Sequence, residues 1–150
     1  MPIYSTWVVE GHLVYWKSWG ALTEDDIAPY DAESLALLEH TATMLHTIAD
    51  HTQLQQLPAL KGLTTLSAAR DPRLGWYLVV GSMNPIIRMM VSIAVQVSKI
   101  RLRFFDTFES ALEFIREQDS TLPPIEVTEA ELLSRIRERH AAVSSEPTPF

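Results

Sequence analysis

Three patterns in the sequence predict a single-domain α/β fold: a mixed, mostly parallel sheet with an edge β-hairpin and flanking helices, followed by a further C-terminal helix. The first is a pair of aromatic and β-branched runs around a short turn, YSTWVV and HLVYWKSW separated by EG. The second is the regular alternation of short apolar runs with helix-like segments after that hairpin, which calls for right-handed crossovers and hence parallel strands. The third is size: 150 residues at 47% hydrophobic content build one core but not two.

The hairpin comes first, with Gly11 in its turn, and both faces of its strands are largely apolar, which predicts a sheet covered on both sides. Thr23 then precedes Glu24, Asp25 and Asp26, a helix start favoured by capping and by the helix dipole. Ile27, Tyr30, Leu37 and Leu38 keep helical spacing, and Pro29 fits a first helical turn. LHTIAD reads as a short strand, with QLQQLP as a loop after it and a second helix from about Leu60 to Ala69. DPRLG is a turn, and WYLVV is a continuous apolar run of the buried-strand type. Asn84-Pro85 opens a third helix that ends near Val97, and RLRFF is the last strand. Asp106 and Glu109 resemble a capping box for FESALEFIREQ, whose Phe108, Ala111, Leu112 and Ile115 follow the helical repeat.

On this pattern the α/β domain spans 1–119, with 120–127 as linker, 128–142 as an appended helix and 143–150 as a disordered tail. Thr128 and Glu131 form the capping box of the appended helix, and Leu132, Leu133 and Ile136 form its apolar seam. That seam needs a docking surface, on this chain or on a second copy.

Composition narrows the functional classes. With 19 acidic against 12 basic residues, the net charge is −7, which repels phosphate backbones and argues against a nucleic-acid partner. The absence of cysteine removes disulfides, thiolate metal sites and cysteine nucleophiles. No signal peptide is visible, and the longest apolar run is broken by Arg88 and Gln96 before the roughly 20 residues that a membrane span requires. The expectation is a cytoplasmic protein without a cofactor.

His46, Asp50 and His51 lie within one short stretch, LHTIADHT. On a strand, His46 and Asp50 share a face but stand roughly 13 Å apart, too far for a common metal, and His51 points the other way. An acid–base pair of Asp50 with His46 or His51 is the only enzymatic reading the sequence offers. The expectation is that no catalytic or metal site is assembled. Gly81-Ser82-Met83-Asn84-Pro85 reads as a structural turn, because a lone glycine lacks the lysine and second glycine of a phosphate loop.

In the order of these elements the chain resembles a STAS domain, the SpoIIAA-like fold of anti-sigma-factor antagonists. The likeness rests on GHLVYWKSWGALTEDD, the strand ending in Asp50, the loop into a helix, WYLVVG, and RLRFFDTFESALEFI. It covers roughly residues 4–118, and the Sec14-type lipid-carrier layout is similar. The resemblance implies a protein-interaction module. In that family a serine at a helix start, within Asp-Ser-Ser-Gly-Leu, is phosphorylated by a partner kinase. Here the matching segment is LPALKGL, with Ala59 and Leu60, or Leu60 and Lys61, in place of the serines. Neither register supplies a hydroxyl, so the phospho-switch is expected to be absent.

Ligands approach open α/β sheets at the carboxyl ends of strands. The expected partner-binding residues are therefore Asp50, Thr52, Gln55, Pro58 and Leu60 on one side, and Ser82 and Asn84 on the other. NPIIRMMVSIAVQVSK gathers Arg88, Ser92, Gln96 and Lys99 on one stripe and leaves an apolar arc of roughly 240°. Such an arc exceeds what one sheet face covers. Either neighbouring helices and the tail helix cover the excess, or it is a homo-oligomer surface, a partner groove or the wall of a chamber for an apolar small molecule, with Ile87, Met90, Val91, Leu132 and Ile136 as the candidate residues.

Overall fold

The computed structural model describes residues 1–150. Strands β1 (Ile3–Val9) and β2 (Leu13–Ala21) form the hairpin, and β3 (Leu45–Gln56), β4 (Leu74–Val80) and β5 (Arg101–Phe105) follow. The sheet order is β1-β2-β3-β4-β5; β1 is the antiparallel edge and the remaining neighbours are parallel. The hairpin turn needs Gly11, which has φ +79, and a Cβ there would stand 2.9 Å from the His40 carbonyl oxygen.

Helices cover both faces. On one lie α1 (Ile27–Glu39), the single turn α2 (Leu60–Leu63) and α3 (Pro85–Val97); on the other lie α4 (Phe108–Gln118) and α5 (Glu129–Ala141). Consequently β2 is buried along Leu13–Trp19 without interruption. Pro29 falls in the first turn of α1, where its missing N–H costs nothing. Asn84 caps α3, its side-chain oxygen accepting from the Ile86 N–H at 2.9 Å with Pro85 as first residue.

Four local expectations are corrected. QLQQ is strand rather than loop, because β2 runs on to Ala21 and pairs with β3 as far as Gln56. No helix fills 60–69: the chain makes α2 and then a 3-10 turn at Ala68–Arg70. The Thr64 and Thr65 hydroxyls donate to the Lys61 and Gly62 carbonyls at 3.0 and 2.8 Å, competing with helix continuation. The Asp31 carboxylate of α1 accepts from the Ser67 and Ala68 N–H groups at 3.0 and 2.9 Å, fixing the second turn apart from the first. At α4 the cap is Thr107, not Asp106: Thr107 is the extended residue, and its hydroxyl accepts from the Ser110 N–H at 3.1 Å.

The fourth concerns the C-terminal region. Helix α5 is a sheet-covering helix rather than an appendage. Leu132 and Ile136 are fully buried in the same core cluster as Leu13, Tyr15, Phe108 and Ile115. Arg135 donates to the Trp7 carbonyl at 3.2 Å, which ties the helix to β1. Residues 143–150 fold back over β2: the Gln53 amide donates to the Pro149 carbonyl at 2.9 Å, and the Phe150 ring packs edge-on against Trp19. The physical reason is area: α4 alone spans β4 and β5, leaving the apolar side chains of β1 and β2 to be covered by the next amphipathic segment.

If α5 is part of one core, Leu132→Ala and Ile136→Ala each cost about 2–5 kcal/mol. Chemical denaturation followed by tryptophan fluorescence and by far-ultraviolet circular dichroism should give one coincident transition. A separate early transition for the helix would contradict this.

Candidate functional site

The alternation of β3 decides where the titratable residues go. Leu45, Ala49 and Leu54 belong to the core under α1 and α3, and Ile48 to the core under α4 and α5. His46 and Asp50 share the Ile48 face, and His51 faces the other way, toward α1 and α3. The structure therefore does not gather the three residues. Nor do three His, Asp or Glu side chains come together anywhere as metal ligands.

Asp50 is the counter-ion of Lys17. Their side chains, 15% and 4% exposed, meet at 3.0 Å, and the register pairs the two residues directly across β2 and β3. The Thr52 N–H and hydroxyl donate to Asp50 at 3.0 and 2.6 Å, and the Tyr15 hydroxyl stands 3.4 Å away. Burial by itself would raise the Asp50 pKa, but Lys17 and Thr52 outweigh it and hold the carboxyl below its ordinary value. Tyr15 is pushed far up, by burial first and then by the Asp50 charge. The Phe150 ring covers the Lys17 ammonium at 5.2 Å.

The next residues along each strand form a second polar pair, on the opposite face. The His51 Nδ1 lies 2.6 Å from the Ser18 hydroxyl, and its Nε2 lies 2.8 Å from the Tyr77 hydroxyl. Burial drives the His51 pKa down to about 4, so the ring is neutral at pH 7. Burial likewise raises Tyr77.

His51 and Tyr77 line a cavity of about 160 Å³ between the sheet and the layer of α1, α2 and α3. Trp16 and Thr47 join them on the sheet side, Tyr30 and Leu37 come from α1, Val91 and Val95 from α3, and Leu57, Leu63 and Leu66 from the loop around α2. The cavity exists because α2 is a single turn, so no helix fills the layer between α1 and α3. Ala68, Ala69, Ala94 and Ser98 are too small to fill the remaining gap.

The predicted partner-binding residues separate. Gln55, Ser82 and Asn84 are exposed, and Leu60 is half-buried at the start of α2. Asp50 turns inward to pair with Lys17, and Thr52 donates to Asp50. Pro58 is buried on the cavity wall. The apolar set also divides. Val91 lines the cavity, Ile87 is buried in the core beside it, and Met90 is half-buried. Leu132 and Ile136 are buried on the other sheet face, away from any surface. The apolar side chains that α3 presents to solvent are instead Ile86, Met89, Ile93 and Val97, exposed by 64, 57, 37 and 61%. Periodicity measured the width of the apolar arc, but not which part of it faces the sheet.

Lys17, Ser18 and Tyr77 escaped the sequence reading. Lys17 and Ser18 carried a usable signal, since polar residues inside an otherwise apolar strand covered on both faces need buried partners. Tyr77 carried none, because its run is apolar throughout.

At the other end of the parallel strands, the Trp76 N–H donates to His46 Nδ1 at 3.0 Å, which leaves the proton on Nε2 to be donated to Asp119 at 2.9 Å. Both ring nitrogens are satisfied. Burial lowers the His46 pKa against the opposing pull of Asp119. No helix of the chain is long and apolar enough to cross a membrane.

No protein-family model matches the sequence, and no curated protein does either. Among solved structures, the chain is similar to an uncharacterized DUF3478-family protein from Shewanella loihica with a SpoIIAA-like fold. The TM-score is 0.53 at 17% identity, over 68% of this chain and 82% of that one. The phosphorylated form of the Bacillus cell-fate determinant SpoIIAA aligns over 76% of this chain and 99% of its own, at 13% identity and TM-score 0.49. The fold is thus SpoIIAA-like.

Removing the Asp50 carboxylate leaves Lys17 buried and unpaired, so Asp50→Ala costs about 3–5 kcal/mol, and Lys17→Met in that background recovers most of it. Urea titrations of the two single variants and the double variant check this. For His51 the folded pKa lies below the unfolded one, so the unfolded chain takes up the proton first. Stability present above pH 6.5 is therefore lost as pH falls toward about 4. The loss from His51 is roughly 3 kcal/mol, and His46 adds to it in the same direction. His51→Gln should flatten that limb of the stability–pH curve.

Proposed function

We propose that this chain is a non-catalytic, cytoplasmic interaction module that self-associates through the outer face of α3. The observation carrying this reading is the exposed stripe of Ile86, Met89, Ile93 and Val97. Its spacing of three, four and four residues is that of a helix–helix seam. Half-buried Met90 lies beside Met89 on the seam's margin, and methionines adapt readily to an apposed surface. A second copy presenting the same stripe about a two-fold axis covers both at once. The SpoIIAA-like fold fits a regulatory role. Control by phosphorylation at the start of α2 is lost, because Ala59 and Leu60 stand there without a hydroxyl.

A second reading, a carrier or sensor of an apolar small molecule, is favoured by the cavity under α1–α3. On this reading the loop around α2, which roofs the cavity, is the part of the partner-facing surface that responds to occupancy.

Sedimentation velocity tests the first reading. The protein should dimerise with rising concentration, and Met89→Asp should shift it to monomer with an unchanged melting temperature. A wild-type monomer at all concentrations, or an equally dimeric Met89→Asp variant, would remove α3 from the interface.

A further inference from the structure

The cavity under α1–α3 combines a size, a polarity and a charge state that together define a ligand class. Its volume of about 160 Å³ is close to that of engineered apolar cavities of roughly 150 Å³, which stay dry and take up benzene. A space of this size accommodates one six-membered ring.

On the sheet side the polar groups gather at one place, while Thr23, Asp26, Tyr30 and Ser34 lie across the cavity on the α1 side and Ser98 at the end of α3. Tyr77 and His51 meet on the sheet side at 2.8 Å, and Thr47, 6% exposed, is the adjoining polar residue. A neutral imidazole bonded to Ser18 on one nitrogen and to Tyr77 on the other has a single ring proton. If that proton is on Nε2, His51 donates to the Tyr77 oxygen and the phenolic proton is free to be given. If it is on Nδ1, the Tyr77 proton goes to His51 and the phenolic oxygen is free to accept. The Tyr77 hydroxyl thus offers a donor in one tautomer and an acceptor in the other, and a hydroxyl is the ligand group that matches both.

Charge is missing from the interior. No Lys or Arg lines the cavity, and its one acid, Asp26, is engaged with the Thr23 N–H at 2.8 Å at the start of α1. A carboxylate or phosphate entering this space would lose its hydration without a counter-ion. Lys17 cannot serve, because its side chain lies on the opposite sheet face with Asp50.

We propose that the cavity binds a neutral, single-ring molecule carrying one hydroxyl, of the phenol class, with that hydroxyl bonded to Tyr77. This rests on the second reading above, that the cavity is a small-molecule site.

Phenol and toluene test it, since they are the same size and differ by a hydroxyl in place of a methyl. Isothermal titration of the intact protein is run with both, and with benzoate and decanoate. In a wholly apolar cavity toluene binds better, because phenol forfeits its hydration. Here phenol should bind one-to-one and at least as tightly as toluene, with benzoate and decanoate failing. Tyr77→Phe should weaken phenol by about tenfold and leave toluene unchanged. Ala94→Leu, which fills the space, should abolish both. If neither ring binds the wild type, the cavity is not a ligand site and the reading beneath the proposal fails. If toluene binds better than phenol, or an anion binds better than either, the site stands and the ligand class is wrong. The wild-type comparison decides this even if Tyr77→Phe does not fold.

Discussion

The burial of β2 from both sides is the constraint on which the rest of the structure depends. Every residue from Leu13 to Trp19 is shielded from water, and two of them, Lys17 and Ser18, are polar. Neighbours on a strand point to opposite faces, so each needs its own buried partner in a different layer. The adjacent strand supplies both in the same order: Asp50 for Lys17, His51 for Ser18. A one-residue slip of β3 against β2 would strand a lysine and an aspartate in apolar cores, so the two polar pairs specify register as well as satisfy burial.

That register separates the two layers by chemistry. The face under α4 and α5 receives the ion pair and closes over it tightly, with Phe150 laid across the ammonium. The other face receives the neutral pair and remains incompletely filled, because two threonines and the Asp31 carboxylate stop α2 after one turn. A charge is thus kept in the dense layer, and an uncharged hydrogen-bonding chain is left beside the open one. Cavity and polar pair are consequences of the same strand pairing.

Fold similarity and site chemistry are separate matters here. The fold is SpoIIAA-like, and after the central strand this chain begins α2 with Ala59 and Leu60. The departure from a full helix at 60–69 that opens the cavity occurs in the same segment. Function on a shared scaffold is decided by local chemistry of this kind rather than by the fold.

Much of this was legible in the chain itself. The hairpin, the parallel strands and α3 with its Asn84-Pro85 start follow from residue type and period, because these are local properties of the backbone. The separation of His46, Asp50 and His51 followed from alternation once β3 was read as a strand. Four things belong to the tertiary structure: the end of β3, set by pairing with β2; the length of α2, set by Asp31 from another element; the docking of α5 in the same core; and the facing of α3. Periodicity measures how much of a helix is apolar. Only the neighbours packed against it decide that Ile87 and Val91 turn inward while Ile86 and Met89 meet water, because burial is a property of what lies opposite and not of the residue alone.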